Sequence, residues 1–221
     1  TLAMTLLNLP GFWWISTMVA RHTGFVEAGH FGVAYAIAQL IFLLPLNFYT
    51  PAMTFMSEAA ADVQAGNADA GTFRQLVGTN LRWLWALTLP LAVGGAMCSP
   101  LIIELLFGSA YAAAIPAAFV MSLAALLMVN TGLLNTAIIA AGHAWQGCGI
   151  TLLWAAVFFV GGWICIPRWG ALGGAAAFTL SQVFYLIGTY LYSRRVLQMT
   201  NDGIGRLTAL TVTSAGFVRG L

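Results

Sequence analysis

The 221-residue chain is 61% hydrophobic and only 6% charged, with a formal net charge of +2 at pH 7. Soluble domains carry about 25% charged and about 45–50% apolar residues. Such a composition excludes a water-soluble globular protein, because only a bilayer accommodates so apolar a surface. The sequence therefore predicts an all-α fold, a polytopic membrane helix bundle.

Six apolar runs are long enough for transmembrane helices, because a helix needs about 20 apolar residues to cross the hydrocarbon core. We predict spans at residues 2–20, 31–53, 81–107, 112–141, 147–167 and 171–192. Together they make one six-helix domain, residues 1–199. Residues 200–221 are expected to be a cytoplasmic tail or the start of a truncated further span. Because the chain begins at Thr1 inside an apolar run and has no secretory leader, we expect natural sequence upstream.

The longest connection between predicted spans is residues 54–80. Apolar residues recur there at helical spacing and acids take another face, which predicts a short amphipathic helix at the membrane surface: Phe55, Ala59 and Val63 against Glu58 and Asp62. Gly66 and Asn67 are predicted to end this helix. Thr72 and Gln75 then have the spacing of a capping box, so a new helix is expected to begin there and run into the third span.

The connection between the fifth and sixth spans is very short. Pro167 ends one apolar run, and Gly170 allows the positive φ of a tight turn. Gly173 and Gly174 follow at once, and their lack of side chains lets two helix backbones approach closely, as helices do when they associate in lipid. We therefore predict a tight helical hairpin at this point.

Arginines are divided unevenly between the two predicted sides of the membrane. The side with the 54–80 connection, the 142–146 connection and the tail carries six, and the other side carries two: Arg74, Arg82, Arg194, Arg195, Arg206 and Arg219 against Arg21 and Arg168. By the positive-inside rule, the first side is predicted to be cytoplasmic.

The sequence contains little that supports enzyme chemistry. It has no pair of carboxylates at catalytic spacing and no hydrolase, metalloprotease or nucleotide-binding motif. The cysteines are odd in number and lie in or beside apolar runs, so we expect buried packing residues and no disulfides: Cys98, Cys148 and Cys165. The isolated histidines at span ends are expected to be interfacial: His22, His30 and His143. We therefore expect no enzyme activity, no catalytic residue, no metal and no cofactor.

Polar residues within or beside the spans have two open interpretations. In the first interpretation they join neighbouring helices, since polar side chains in lipid require partners: Asn8, Thr17, Gln39, Asn47, Asn130, Asn135, Thr179, Ser181 and Gln182. Alternatively, a subset on the first two spans lines a wet cavity and binds substrate: Asn8, Thr17, Arg21, Gln39 and Asn47. Arg21 suits a phosphate because its guanidinium is a two-point fork, although a plain interfacial anchor needs the same residue type.

Several short motifs, in order over about residues 8–195, resemble the C-terminal half of Wzx-type polysaccharide flippases. These belong to the superfamily of multidrug, oligosaccharidyl-lipid and polysaccharide exporters. Glu27 to Phe31 with Ala34 to Leu40 is similar to the start of the family's eighth helix, and Pro45 and Pro51 match its proline-bearing end. The other matching segments are LLFGSAYAA at 105–113, AGH at 141–143 and IPRWGALGGAA at 166–176, where Trp169 replaces the family's usual tyrosine.

The resemblance implies that this chain is one lobe of a two-lobe transporter whose N-terminal lobe lies upstream. It implies that an undecaprenyl-diphosphate-linked oligosaccharide is flipped from the cytoplasmic to the periplasmic leaflet of the bacterial inner membrane by alternating access. Such a flippase serves polysaccharide biosynthesis, in lipopolysaccharide or exopolysaccharide export. The implied partners are the lipid-linked oligosaccharide, membrane lipids and the missing lobe, with no nucleic acid.

Two alternatives remain open. A drug or cation antiporter of the same superfamily often keeps an acid deep in a lobe, whereas the acids here lie at loops or span ends, with Glu104 nearest a core. A membrane glycan polymerase or ligase needs a large periplasmic loop with catalytic Arg or His, whereas the predicted outside loops are short.

Overall fold

A computed structural model describes residues 2–65 and 70–196 of the chain, and its elements are helical throughout these ranges. The elements are α1 (Leu2–Thr23), α2 (Phe25–Gln64), α3 (Ala70–Phe107), a 3-10 helix (Ser109–Ala114), α4 (Ile115–Ala140) and α5 (Ala144–Val196). The predicted turn at Gly66 and Asn67 and the predicted tail at 200–221 lie outside the described residues.

Four described stretches are long and apolar enough to cross a membrane: Phe25–Leu43, Gly71–Phe107, Ser109–Ala140 and Ala144–Arg194. The protein is therefore an all-α polytopic membrane helix bundle, which confirms the fold class predicted from composition. The last stretch has 51 residues, more than twice the length of one crossing, and it contains the predicted fifth and sixth spans. The first predicted span lies in α1, which is not among the four, so the six-span domain of residues 1–199 stays a prediction.

α5 folds back on itself at Gly170, where φ is 52° and ψ is −127°. We call residues 144–169 the first half of α5 and residues 171–196 the second half. The two halves run antiparallel, since Thr151 hydrogen-bonds Tyr185 and Phe158 packs edge-on against Phe178. A Cβ at Gly173 would overlap the carbonyl oxygen of Cys165, so the two backbones touch there. The predicted tight hairpin, with a small residue at its contact, is confirmed.

Positive-φ glycines mark the described turns between helical segments: Gly24, Gly108, Gly142 and Gly170. The turn between α1 and α2 is much shorter than predicted. A ten-residue loop was expected at residues 21–30, but α1 runs to Thr23 and α2 begins at Phe25. Glu27 lies in the first turn of α2, where the partial positive charge of the helix N-terminus favours a carboxylate and so helps the helix begin early.

The predicted amphipathic helix in the 54–80 connection is not a separate element. α2 continues from the second span to Gln64 without a break. Its buried row continues at a spacing of four through Ala52, Met56 and Ala60, which leaves Phe55 60% exposed and not on the apolar face as predicted. The predicted capping box is also wrong, because α3 is already helical from Ala70 and Thr72 lies inside it.

α4 occupies the centre of the bundle and packs against α2, α3 and α5. Its first part belongs to an apolar cluster that reaches α1, α2 and α5 through Val19, Phe31 and Ile166. Its last part belongs to what we call the second apolar cluster, which joins α2, α3 and α4: Ala52, Met56, Ala60, Phe73, Val77, Leu81, Leu84, Val129, Leu133, Leu134 and Ala137. α4 therefore holds α2, α3 and α5 together along its whole length.

Polar side chains of α4 and α5 are buried between helices. The Asn130 Nδ2 donates to the Leu126 carbonyl at 2.7 Å and lies 3.4 Å from the Thr88 Oγ1 of α3. The Thr131 Oγ1 lies 3.5 Å from the Gln182 Oε1 of α5. The Thr179 Oγ1 donates to the Val120 carbonyl of α4 at 3.1 Å. For these residues the interpretation as links between helices holds.

The outer surface of α3 is apolar over several turns, with Met97, Leu101 and Leu105 exposed. An exposed apolar helix face of this kind suits contact with lipid. Cys98 lies on the same surface, so the expectation that it is buried is wrong, while Cys148 and Cys165 are half-buried and all three cysteines are free.

The close backbone contact in α5 leads to a prediction about stability. Gly173→Ala should lower the melting temperature of the detergent-purified protein, because the new methyl group overlaps the Cys165 carbonyl and forces the two halves apart; overpacking costs about 1–3 kcal/mol. Gly149→Ala is the matched control, since a Cβ there meets nothing within 4 Å. Equal melting temperatures for the two variants would contradict the contact.

Candidate functional site

α1 and α2 form an antiparallel hairpin that turns at Gly24. Phe12 of α1 packs against Tyr35 of α2 with ring centroids 4.4 Å apart, and against Phe31 at 6.1 Å. Residues 12 and 35 are almost equally distant from Gly24 in sequence. A residue on α1 therefore lies beside the residue on α2 that is equally far from Gly24 in sequence. This register gives the distance of each candidate substrate-binding residue from the turn.

The candidate residues on the hairpin lie at different depths. At about 1.5 Å of rise per residue, Arg21 is about 5 Å from the turn, Thr17 about 10 Å, Gln39 about 22 Å and Asn47 about 35 Å. All four are exposed on the surface of the bundle. The side chain of Asn8 lies outside the described residues. The structure thus spreads the candidates along the hairpin and does not bring them into one cluster.

Three of these side chains form hydrogen bonds within their own helix. The Thr17 Oγ1 donates to the Trp13 carbonyl at 2.7 Å, and the Asn47 Nδ2 donates to the Leu43 carbonyl at 2.9 Å. The Gln39 Nε2 donates to the Tyr35 hydroxyl at 3.0 Å. Arg21, in contrast, makes no ion pair with any residue in the described ranges. It is therefore the candidate with the greatest capacity left to bind an anion.

At the turn end of the hairpin, Glu27 joins α2 to the break in α5. Its Oε2 accepts a hydrogen bond from the Ala171 backbone N–H at 3.0 Å. Ala171 is the first residue of the second half of α5, so the carboxylate caps that helix and lies at its positive end. A Cβ at Gly170 would lie 2.7 Å from the same oxygen, so the absence of a side chain at this position makes room for Glu27.

The other Glu27 oxygen, Oε1, lies 3.3 Å from the His30 Nδ1. The His30 ring in turn lies edge-on to Tyr111 of the 3-10 helix, with centroids 5.9 Å apart. We call Glu27, His30, Tyr111 and Ala171 the Glu27 clasp. His30 is 6% exposed because Glu27 and Tyr111 cover the ring, and its location at the membrane interface stays a prediction.

The clasp brings together three sequence motifs that lie far apart along the chain: residues 27–31, 105–113 and 166–176. It places the turns at Gly24, Gly108 and Gly170 at one end of the bundle. At the opposite end, His143 lies edge-on to Tyr192 near the end of α5, with centroids 6.1 Å apart. The connections therefore divide between two ends of the bundle as a membrane-spanning arrangement requires.

The family model for Lipid II flippase MurJ matches residues 3–218, nearly the whole chain. The chain belongs to the MurJ family. MurJ flippases are members of the superfamily that the motifs indicate, so the superfamily predicted from sequence is confirmed. Searches of curated proteins and of solved structures gave no match.

The chain is therefore a multi-pass membrane protein. It belongs to a family of transporters that flip lipid-linked precursors. The match includes the α1–α2 hairpin and every residue of the Glu27 clasp. The sequence predicts the importance of these three motifs but not that Glu27 joins them. The Glu27–His30 pair was readable from its i,i+3 spacing, whereas the Ala171 contact joins residues 144 positions apart.

The clasp predicts that Glu27→Ala destabilises the protein, since the substitution removes both the helix cap and the partner of His30. We expect a loss of about 1 kcal/mol, the usual contribution of a helix cap, measured as a lower melting temperature in detergent. Glu27→Gln should lie between Glu27→Ala and wild type, because an amide oxygen still accepts from Ala171 but carries no charge.

Glu104→Gln is the control for this prediction. Glu104 is exposed in the last turn of α3, where a negative charge gains nothing from the helix dipole. Its neutralisation should not lower the melting temperature. Wild-type melting by Glu27→Ala would show that the clasp contributes nothing to stability.

Proposed function

We propose that this protein is one lobe of a flippase that moves polyprenyl-diphosphate-linked glycans from the cytoplasmic to the periplasmic leaflet of the bacterial inner membrane. The match to the MurJ family over residues 3–218 carries this proposal. The second lobe would be an N-terminal lobe of the same chain. The function is transport, so the protein needs neither a catalytic residue nor a cofactor.

The substrate of the proposed flippase has two candidate identities. The family name favours lipid II. The short motifs at residues 27–31, 105–113 and 166–176 resemble Wzx-type flippases and favour an undecaprenyl-diphosphate-linked oligosaccharide for lipopolysaccharide or exopolysaccharide. Both are polar glycans joined to a membrane lipid through a diphosphate, so the same physical barrier opposes both: the glycan and its diphosphate lose their hydration in the hydrocarbon core.

The exposed surface of the α1–α2 hairpin supports a role in lowering this barrier. Gln39 and Asn47 lie deep along the hairpin, and Thr17 and Arg21 lie nearer the turn. In an alternating-access cycle, this surface would face the other lobe across a hydrated cavity. The neutral side chains would exchange hydrogen bonds with the glycan, and Arg21 would bind the diphosphate at one end of the path, while the lipid tail stays in the bilayer.

The antiporter alternative receives less support. Within the described residues no acid is buried: Glu58, Asp62 and Glu104 are exposed, and the side chain of Glu27 is 37% exposed and engaged in the clasp. A cation-coupled antiporter of the kind considered above would place an acid deep in its lobe. The exposed polar residues on the hairpin suit a glycan better than an apolar drug.

Reconstitution tests the proposal and separates the two substrates. The full-length natural protein is placed in liposomes that carry either lipid II or an undecaprenyl-diphosphate-linked oligosaccharide. The fraction of each lipid that an external glycan-modifying enzyme reaches is followed over time. We expect lipid II to move between leaflets faster than in protein-free liposomes. Faster movement of the oligosaccharide alone would favour the Wzx-type substrate, and no acceleration of either would contradict the proposal.

Arg21 provides the site-specific prediction. Arg21→Ala in the full-length protein should reduce glycan movement at least about tenfold while leaving the amount of protein in the membrane unchanged, since loss of a charge-assisted phosphate contact costs roughly 1.5–3 kcal/mol. Arg21→Lys should restore part of the activity, because the charge returns but the two-point fork does not.

Arg168→Ala is the matched control for Arg21. Arg168 is also an exposed arginine at the turn end of the bundle, but it lies on α5 and outside the proposed cavity surface. Its substitution should leave transport intact. Wild-type transport by Arg21→Ala, or an equal loss with Arg168→Ala, would remove Arg21 from the substrate path.

A further inference from the structure

Buried polar atoms without a partner lie at the end of the bundle where α3 begins. The Nε atoms of Arg74 and Arg82 are buried and make no hydrogen bond with any residue in the ranges 2–65 and 70–196. The hydroxyl of Ser193, a residue only 1% exposed, is likewise unbonded within these ranges. A buried donor without an acceptor is costly, most of all when it is charged. Arg74 and Arg82 are half-buried, so a ligand outside the protein can reach the exposed part of each of these side chains.

The three residues adjoin one part of the core. Arg74 follows Phe73, and Arg82 follows Leu81, both of which belong to the second apolar cluster. Tyr190, three residues before Ser193 on α5, packs against the same cluster. The unbonded polar atoms therefore belong to residues that border one apolar region.

Gly78 lies midway between the two arginines and leaves an open surface on α3. The three residues follow each other at a spacing of four, so they form one row along the helix, about 6 Å between neighbours. A Cβ at Gly78 would meet nothing within 4 Å. A ligand can therefore approach the helix backbone between the positions of the two arginines.

This row lies at the level of the lipid headgroups. α3 has 38 residues and a length of about 57 Å, nearly twice the hydrocarbon thickness of about 30 Å. Because α3 is longer than the hydrocarbon is thick, part of the helix extends beyond it into the headgroup layer. Trp83, which is 73% exposed, has the position of an aromatic residue at the membrane interface.

The charges nearby leave the row positive. Glu58 and Asp62 lie on the part of α2 that packs in the same region, but both are exposed and neither forms an ion pair with Arg74 or Arg82. Two unpaired guanidinium groups in a headgroup layer are suited to phosphate, which they bind through two parallel hydrogen bonds.

We propose that Arg74 and Arg82, on either side of Gly78, form a binding site for the phosphate of an anionic phospholipid. The bound lipid would supply the acceptors that the two guanidinium groups lack. It would fix the first turns of α3, and with them the second apolar cluster, at the membrane surface. The site is independent of which glycan the protein carries.

Native mass spectrometry of the purified protein, with phosphatidylglycerol and phosphatidylcholine in competition, tests this site. Wild type should retain phosphatidylglycerol selectively. Arg82→Gln should weaken that binding about fivefold, the effect expected of one basic residue near an anionic surface, and the double variant Arg74→Gln/Arg82→Gln should abolish the selectivity.

The variant Gly78→Leu separates loss of binding from loss of folding. It keeps both arginines and enters open space on a helix, so it should melt at least as high as wild type while blocking the phosphate and losing the selectivity. Arg194→Gln, at an exposed arginine of the same end, should leave binding unchanged.

Three results would overturn the proposal. Selective binding retained by both the double variant and Gly78→Leu would show that the row is not the site. A loss with Arg194→Gln as large as with Arg82→Gln would reduce the effect to general surface charge. Binding of undecaprenyl diphosphate at this row without binding of phosphatidylglycerol would assign the site to the transported lipid.

Discussion

Every backbone N–H and C=O within a bilayer needs a partner, because the hydrocarbon offers none. This constraint keeps the chain helical and confines its turns to positions where a sharp change of direction leaves few groups unpaired. The described turns have positive-φ glycines, and next to Gly170 a side chain from another helix supplies a further hydrogen-bond acceptor. Glu27 accepts from the first N–H of the second half of α5, at the point where that helix has lost its own acceptors.

The arrangement of the bundle follows from these turns. With three turns joined at one end by the Glu27 clasp, the helices run antiparallel in pairs around α4. Polar side chains then divide by their surroundings. Asn130, Thr131 and Gln182 are buried between helices and join them. Thr17, Arg21, Gln39 and Asn47 remain at the surface of the α1–α2 hairpin. We propose that these exposed residues line one wall of a hydrated path, as a flippase requires.

Sequence reasoning predicted the features that depend on local physics: the helical membrane fold, the glycine turn at residue 170 and the close contact at Gly173. It failed where tertiary packing decides. α2 continues past its apolar span because Met56 and Ala60 find partners in α3 and α4, which no pattern within 54–64 reveals. The burial of His30 and the capping of Ala171 depend on residues from separate motifs. The candidate cavity residues were predicted as one group, and only the hairpin register separates their depths.

Labelling of single cysteines in intact cells tests the central claim, that the turns alternate between two membrane surfaces. In a background without Cys98, Cys148 and Cys165, a membrane-impermeant maleimide should label cysteines at Ser109 and Arg168, which lie at the clasp end. It should not label cysteines at His143 and Gln146, at the opposite end, until the membrane is permeabilised. Labelling of all four from outside, or of only the second pair, would contradict the account.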